Sequence, residues 1–104
     1  FGLEAEITDE TIESAVTDFN SKAFRLVEEA VAEALPYVDA CAPFIMTGGS
    51  DERFFGRLCD QCIRVQPLLI SDEQMESIHG VSECLDADNL VPAVDYYRYM
   101  LTHV

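Results

Sequence analysis

Tryptophan is absent from this 104-residue sequence, glycine and proline contribute only 5 and 4 residues, and basic side chains number 6. So little glycine and proline excludes a collagen-like, linker-like or low-complexity chain. Six basic residues against 20 acidic ones leave a net charge of -14 and a sequence pI near 4.1. A field of that sign repels phosphate backbones and anionic membrane surfaces, which argues against nucleic acid and membrane partners. No apolar run approaches the roughly 20 residues needed to cross a bilayer, and no basic stretch followed by an apolar one opens the chain. The four cysteines, Cys41, Cys59, Cys62 and Cys84, are too few and too irregular for a small secreted disulfide framework. Reduced thiols and a cytoplasmic location are expected. The chain begins at Phe1 without an initiator Met and reads as a segment.

What is present is core-forming material. Apolar residues make up 49% of the chain, enough for one modest packed domain at this length. Leu3, Ala5 and Ile7 alternate with Glu4, Glu6 and Thr8, the period of an edge strand. The stretch from Asp9 to Asp18 reads as a connection. Asn20 or Ser21 can cap a helix with Phe24, Val27, Val31 and Ala34 on one face, and Pro36 ends it. The apolar run 42–46 reads as a strand buried on both faces, stopping at Gly48 and Gly49. Ser50 then offers a cap for a helix that carries Asp51 and Glu52 in its first turn, followed by Phe54, Phe55 and Leu58. Ile63 and Val65 mark a third strand, and Ser71 to Glu76 an acidic stretch. Leu90, Val94, Tyr97 and Leu101 form a helical stripe, with Pro92 in its first turn. Strand, helix, strand, helix, strand, helix predicts an α/β fold, a partial three-layer sandwich with a short, largely parallel sheet and about three main helices.

Ligands in such sheets collect beyond the carboxyl ends of strands, which places Gly48 to Ser50 at a favoured position. Two glycines before a helix let backbone N–H groups approach a carboxylate or phosphate, and Arg53 lies within reach of the same anion. An ordinary tight turn explains the same residues. His79 stands in a stretch with no helical or strand period, where a hydrogen-bonded structural imidazole is the plainer reading. His103, at the end of the last helix, complements the helix dipole and is assigned no function. Cys59 and Cys62 form one CxxC at what reads as a helix end; a zinc site takes more ligands, and the pair reads as small buried or half-buried side chains.

Taken in order, PFIMTGGSDERFF, CIRVQPL, SIHGVSE and DNLVPAVDYYRYML resemble the C-terminal segment of the zinc-dependent aminoacylase and carboxypeptidase S superfamily, which includes succinyl-diaminopimelate desuccinylase. DFNSKAFRLVEEAVAEALP resembles the helix before that segment. The family pattern is a strand, a Gly-Gly-Thr-Asp turn, a helix, a strand ending in Pro, an acidic loop, a His-Gly-x-Asn-Glu motif and a terminal helix. By this resemblance residues 17–104 are the C-terminal segment of a catalytic domain, and 1–16 the last strand of a lid domain with its linker. The resemblance implies that His79 is the last of the family's zinc ligands, binding one ion of a pair. It implies that Gly48, Gly49, Ser50 and Arg53 receive the substrate carboxylate, and that Asp51 and Glu83 order the turn and the ligand loop around them. Ser50 stands where the family usually has Thr and keeps the hydroxyl; Ser82 stands where Asn is common and loses an amide.

For a complete enzyme the resemblance implies hydrolysis of an amide bond in an N-acyl amino acid or peptide with a free carboxylate, through two zinc ions and an activated water. The remaining ligands and the general-base Glu are expected upstream. The isolated chain is expected to be inactive, to hold no zinc, and to form a homo-oligomer through apolar faces left uncovered. Two other classes fit the composition: a small acidic protein-interaction domain without catalysis, and a thiol or zinc module built on Cys59, Cys62 and one or both of Cys41 and Cys84.

Overall fold

The first helix, α1 (Lys22–Ala34), begins where Ser21 in extended conformation turns its hydroxyl onto the Phe24 N–H at 3.1 Å, satisfying one of the donors that a helix start leaves free. Its last turn closes through Leu35 N–H to Val31 O at 2.8 Å, and Pro36 cannot continue it. The computed structural model describes residues 2–6, 16–45 and 48–104. Along the chain follow α2 (Glu52–Phe55), α3 (Asp72–Ser77), a 3-10 turn at Ala87–Asn89, and α4 (Leu90–His103).

The core is the contact between α1 and α4. Val27, Ala30, Val31 and Leu35 meet Tyr96 there, with Ala93 also buried and Ala34, Val38, Cys41, Ile63, Tyr99 and Met100 packed around them. Ala30 is wholly buried, and its small side chain leaves room for the Tyr96 ring on the facing helix. Asn89 fixes the start of α4 by donating its side-chain amide to Leu69 O at 2.8 Å. Pro92 sits in the first turn of α4, where its missing N–H costs no helical hydrogen bond.

The expected α/β sandwich is not formed: the described residues contain four α-helices, one 3-10 turn and no strand. A strand is stabilised by ladder hydrogen bonds and cross-strand side chains, both of which need a neighbour. Leu3 to Glu6, Ala42 to Ile45 and Cys62 to Val65 have no such neighbour among the described residues, and Phe44 and Ile45 stay 90% and 86% exposed. Ile7 and Thr8 of the first expected strand, residues 9–15 of the expected connection and Met46 of the second strand lie outside the described residues.

Two further expectations are corrected. In α4 the buried residues are Ala93 and Tyr96, while Leu90, Val94, Tyr97 and Leu101 are half or more exposed; the longer apolar stripe is not the face that packs on α1. The acidic stretch at 71–76 is largely helical. Ser71 Oγ accepts from Gln74 N–H and Gln74 Oε1 accepts from Ser71 N–H, a reciprocal cap that starts α3.

With so small a core the molecule is open. The Cα radius of gyration is 17.1 Å, against about 13 Å for a compact domain of this length. The accessible surface is 9049 Å², where a compact monomer of this mass exposes roughly 5,800 Å².

Candidate functional site

His79 occupies a tight turn directly after α3. Its φ of 64° lies in the left-handed region, which non-glycine residues adopt uncommonly, with Asn, Asp and His the more tolerant of them. Two contacts hold it there: Glu83 Oε2 accepts the His79 N–H at 2.9 Å, and Ser77 O accepts the Gly80 N–H at 2.8 Å. Gly80 is required by close approach, because a Cβ at that position would stand 2.9 Å from Ser77 O. The imidazole is thereby carried on an ordered turn and left exposed to solvent. Glu83→Ala is expected to speed amide exchange at His79 by at least about tenfold, the cost of losing one charge-assisted hydrogen bond, with little change in the melting temperature. Hydrogen exchange followed by NMR measures both.

A cavity of about 330 Å³ lies beside this turn, lined by Gln66, Ile70, Gln74, Ile78, Glu83 and Cys84 among others. Glu83 therefore borders it while pinning the His79 backbone. None of Gly48, Gly49, Ser50 or Arg53 lines this cavity.

At the other candidate turn, Gly48 and Gly49 are exposed, and a Cβ at Gly49 would meet nothing within 4 Å. Open space there agrees with close access to the backbone. Ser50 is not the helix cap that the sequence leads one to expect: Asp51 takes that position without a side-chain cap bond, and α2 starts at Glu52. The Ser50 hydroxyl is instead buried with no hydrogen-bond partner among the described residues. Arg53 is exposed and lays its guanidinium 4.8 Å from the centre of the Phe54 ring, a cation–π contact that keeps the charge in solvent. Glu52 pairs with Arg64 at 4.0 Å. Because α2 is only one turn long, its dipole adds little to anion binding, and docking at this turn would rest on backbone N–H groups and Arg53.

Tetrahedral zinc takes about four ligands, and among the described residues no group of three or more His, Cys, Asp or Glu side chains is close enough to hold a metal ion. His79 can be one ligand; these residues by themselves do not form a zinc site. Cys59 and Cys62, read in the sequence as buried or half-buried, are exposed and half-buried, and their sulfurs stand 3.0 Å apart. The CxxC spacing was the signal for that proximity.

Comparison with known proteins gives the class. The chain is 28% identical over 86 residues to a probable carboxypeptidase S-like protein of Dictyostelium discoideum, covering 83% of this chain and 16% of that protein. It is 33% identical over 67 residues to the human N-fatty-acyl-amino acid synthase/hydrolase, covering 64% of this chain and 13% of that protein. The mouse counterpart is 23% identical over 73 residues, or 70% of this chain and 14% of its own length. No family model matches the chain, and no solved structure matches it. These similarities, at low identity and over part of the chain, support the peptidase superfamily of carboxypeptidase S-like proteins and N-fatty-acyl-amino acid synthase/hydrolases. The chain spans about one sixth or less of the length of these relatives.

Proposed function

We propose that this chain is the C-terminal catalytic segment of a metal-dependent hydrolase that cleaves an amide bond in N-acyl amino acids or peptides bearing a free carboxylate. The observation that carries the reading is the His79 turn, whose left-handed backbone is held by Glu83 with the imidazole exposed to solvent. The relatives support the reaction class, since their names are those of a probable carboxypeptidase S-like protein and an N-fatty-acyl-amino acid synthase/hydrolase.

In this reading His79 supplies one ligand to a zinc pair whose other ligands, with the general-base glutamate, come from sequence outside this chain. Bound zinc would make water nucleophilic near neutral pH. The chain's own residues do the rest: Glu83 keeps the His79 turn in place, Asp51 positions the start of α2, and Gly48, Gly49, Ser50 and Arg53 receive the substrate carboxylate. The buried Ser50 hydroxyl, without a partner among the described residues, is a donor available for that carboxylate once the turn adjusts. Residues 1–16 would be the end of a lid domain, and 17–104 the catalytic segment.

The coding sequence upstream tests this directly. A His-x-Asp motif and a Glu-Glu pair ahead of a lid-sized insertion are expected; a start codon immediately before Phe1 would overturn the reading and favour the acidic interaction domain instead. The isolated chain should neither hydrolyse N-acyl amino acids nor retain zinc. Phe44, Ile45 and Leu58, each more than four-fifths exposed, give the isolated chain an apolar surface that favours self-association. Light scattering after size exclusion is expected to give a mass above 11.6 kDa that rises with concentration; a constant monomer mass would contradict it.

A further inference from the structure

The cysteine pair has no part in the hydrolase reading, and its geometry is specific. Cys59 Sγ and Cys62 Sγ lie 3.0 Å apart, in hydrogen-bonding contact, on the irregular segment after α2. Cys41 is packed at the edge of the α1–α4 core, where burial, and then the nearby Glu28 charge, push its thiol up; Cys84 is exposed beside the cavity near His79. Two sulfurs without a third ligand do not make a zinc site. What two adjacent thiols can do is exchange electrons with a disulfide.

We propose that Cys59 and Cys62 form a reversible dithiol–disulfide site whose oxidant is a low-molecular-weight disulfide of the glutathione class. Cys59 is the more exposed sulfur and attacks first: its thiolate bonds to one sulfur of the disulfide, the disulfide bond breaks, and one small thiolate leaves. The Cys62 thiolate then attacks Cys59 Sγ, forming the internal bond and expelling the second small thiolate. The protein loses two electrons and two protons, and one small disulfide becomes two small thiols.

The surroundings suit this order. The Cys62 thiol is pushed up to about 11, first by its hydrogen bond with Cys59, then by burial and by the charges of Cys59 and Glu52, against a lowering effect of Arg64. Once Cys59 is engaged in a mixed disulfide, its hydrogen bond and its charge are gone, and Cys62 ionises more readily for the second step. Closure also acts beyond the loop. Cys59 donates to Phe55 O at the end of α2 at 3.6 Å. Cys62 O accepts from the Thr17 hydroxyl at 2.8 Å, and Gln61 Oε1 accepts from Asp18 N–H at 3.0 Å. The disulfide would fix the segment that joins the end of α2 to the approach to α1.

The test incubates the reduced 104-residue chain with excess oxidised glutathione, blocks free thiols by alkylation, and reads peptide masses. The expected product has lost two hydrogens, with Cys59 and Cys62 both protected and Cys41 and Cys84 alkylated. Cys62→Ser should stop at a glutathione adduct on Cys59, Cys59→Ser should form no internal bridge, and in the unsubstituted chain a mixed disulfide trapped by early acid quench should sit on Cys59. Alkylation of Cys59 and Cys62 to the extent seen at Cys84, or a bridge to Cys41 or Cys84, would overturn the proposal. A mixed disulfide trapped on Cys62 rather than Cys59 in the unsubstituted chain would overturn the assigned order of attack.

Discussion

Tyr96→Ala is expected to leave the chain unfolded at room temperature. Among the described residues Tyr96 is the largest fully buried side chain, 1% exposed, and the core around it is formed by Val27, Ala30, Val31 and Leu35. Emptying the volume of a buried aromatic ring costs about 3–5 kcal/mol, and a core this small has little in reserve against a typical domain stability of roughly 5–15 kcal/mol. The partner substitution separates ring from hydroxyl. The Tyr96 OH is buried with no hydrogen-bond partner among the described residues, so Tyr96→Phe should be neutral or stabilising by about 1 kcal/mol. Urea unfolding followed by circular dichroism measures both. A destabilised Tyr96→Phe would mean that the hydroxyl has a partner after all.

The same residue fixes an alkaline limit. Burial, and then the neighbouring Tyr97 and Cys41, push the Tyr96 hydroxyl from 10.0 up to about 12. Between those values the folded chain keeps a proton that the unfolded chain has released. The stability associated with the neutral hydroxyl is therefore fully present below pH 10 and is lost as the pH rises towards 12. Tyr96→Phe should flatten that part of the unfolding profile.

Local signals carried the helices better than the sheet. Ser21 and Pro36 bracket α1 because capping and helix termination are decided by residues a few positions apart. The start of α4 was legible for the same reason, but its buried face was not: Leu90, Val94, Tyr97 and Leu101 are apolar at helical spacing, whereas Tyr96, with Tyr99 and Met100 beside it, is the residue that packs with Ala30 and its neighbours. Apolar spacing reports which residues could pack, and the facing helix decides which do. The reciprocal Ser71–Gln74 cap was present in the sequence, hidden by an acidic composition that reads as a loop. Alternation at Leu3 to Ile7 and the run at 42–46 describe strand-forming residues, yet a ladder needs a second chain segment that periodicity does not supply. At the site, the left-handed φ of His79 follows from contacts with Glu83 and Ser77 that spacing alone does not disclose. The proximity of Cys59 and Cys62 was written in their spacing and undervalued there.

The second large effect concerns His79. In the proposed reading His79 is a metal ligand, and removing it would release the ion or disorder the water it activates, so the loss would fall on the chemical step itself. A chimera tests it: residues 17–104 of this chain replace the corresponding segment of the human N-fatty-acyl-amino acid synthase/hydrolase, and zinc content and kcat/KM on an N-fatty-acyl amino acid are measured together. The account predicts a folded, zinc-containing chimera with measurable hydrolysis. His79→Ala should lower kcat/KM by about a thousandfold, equivalent to roughly 4 kcal/mol of transition-state stabilisation, with zinc content reduced, while His103→Ala leaves both unchanged. A folded chimera in which His79→Ala keeps its zinc and its kcat/KM would contradict the account.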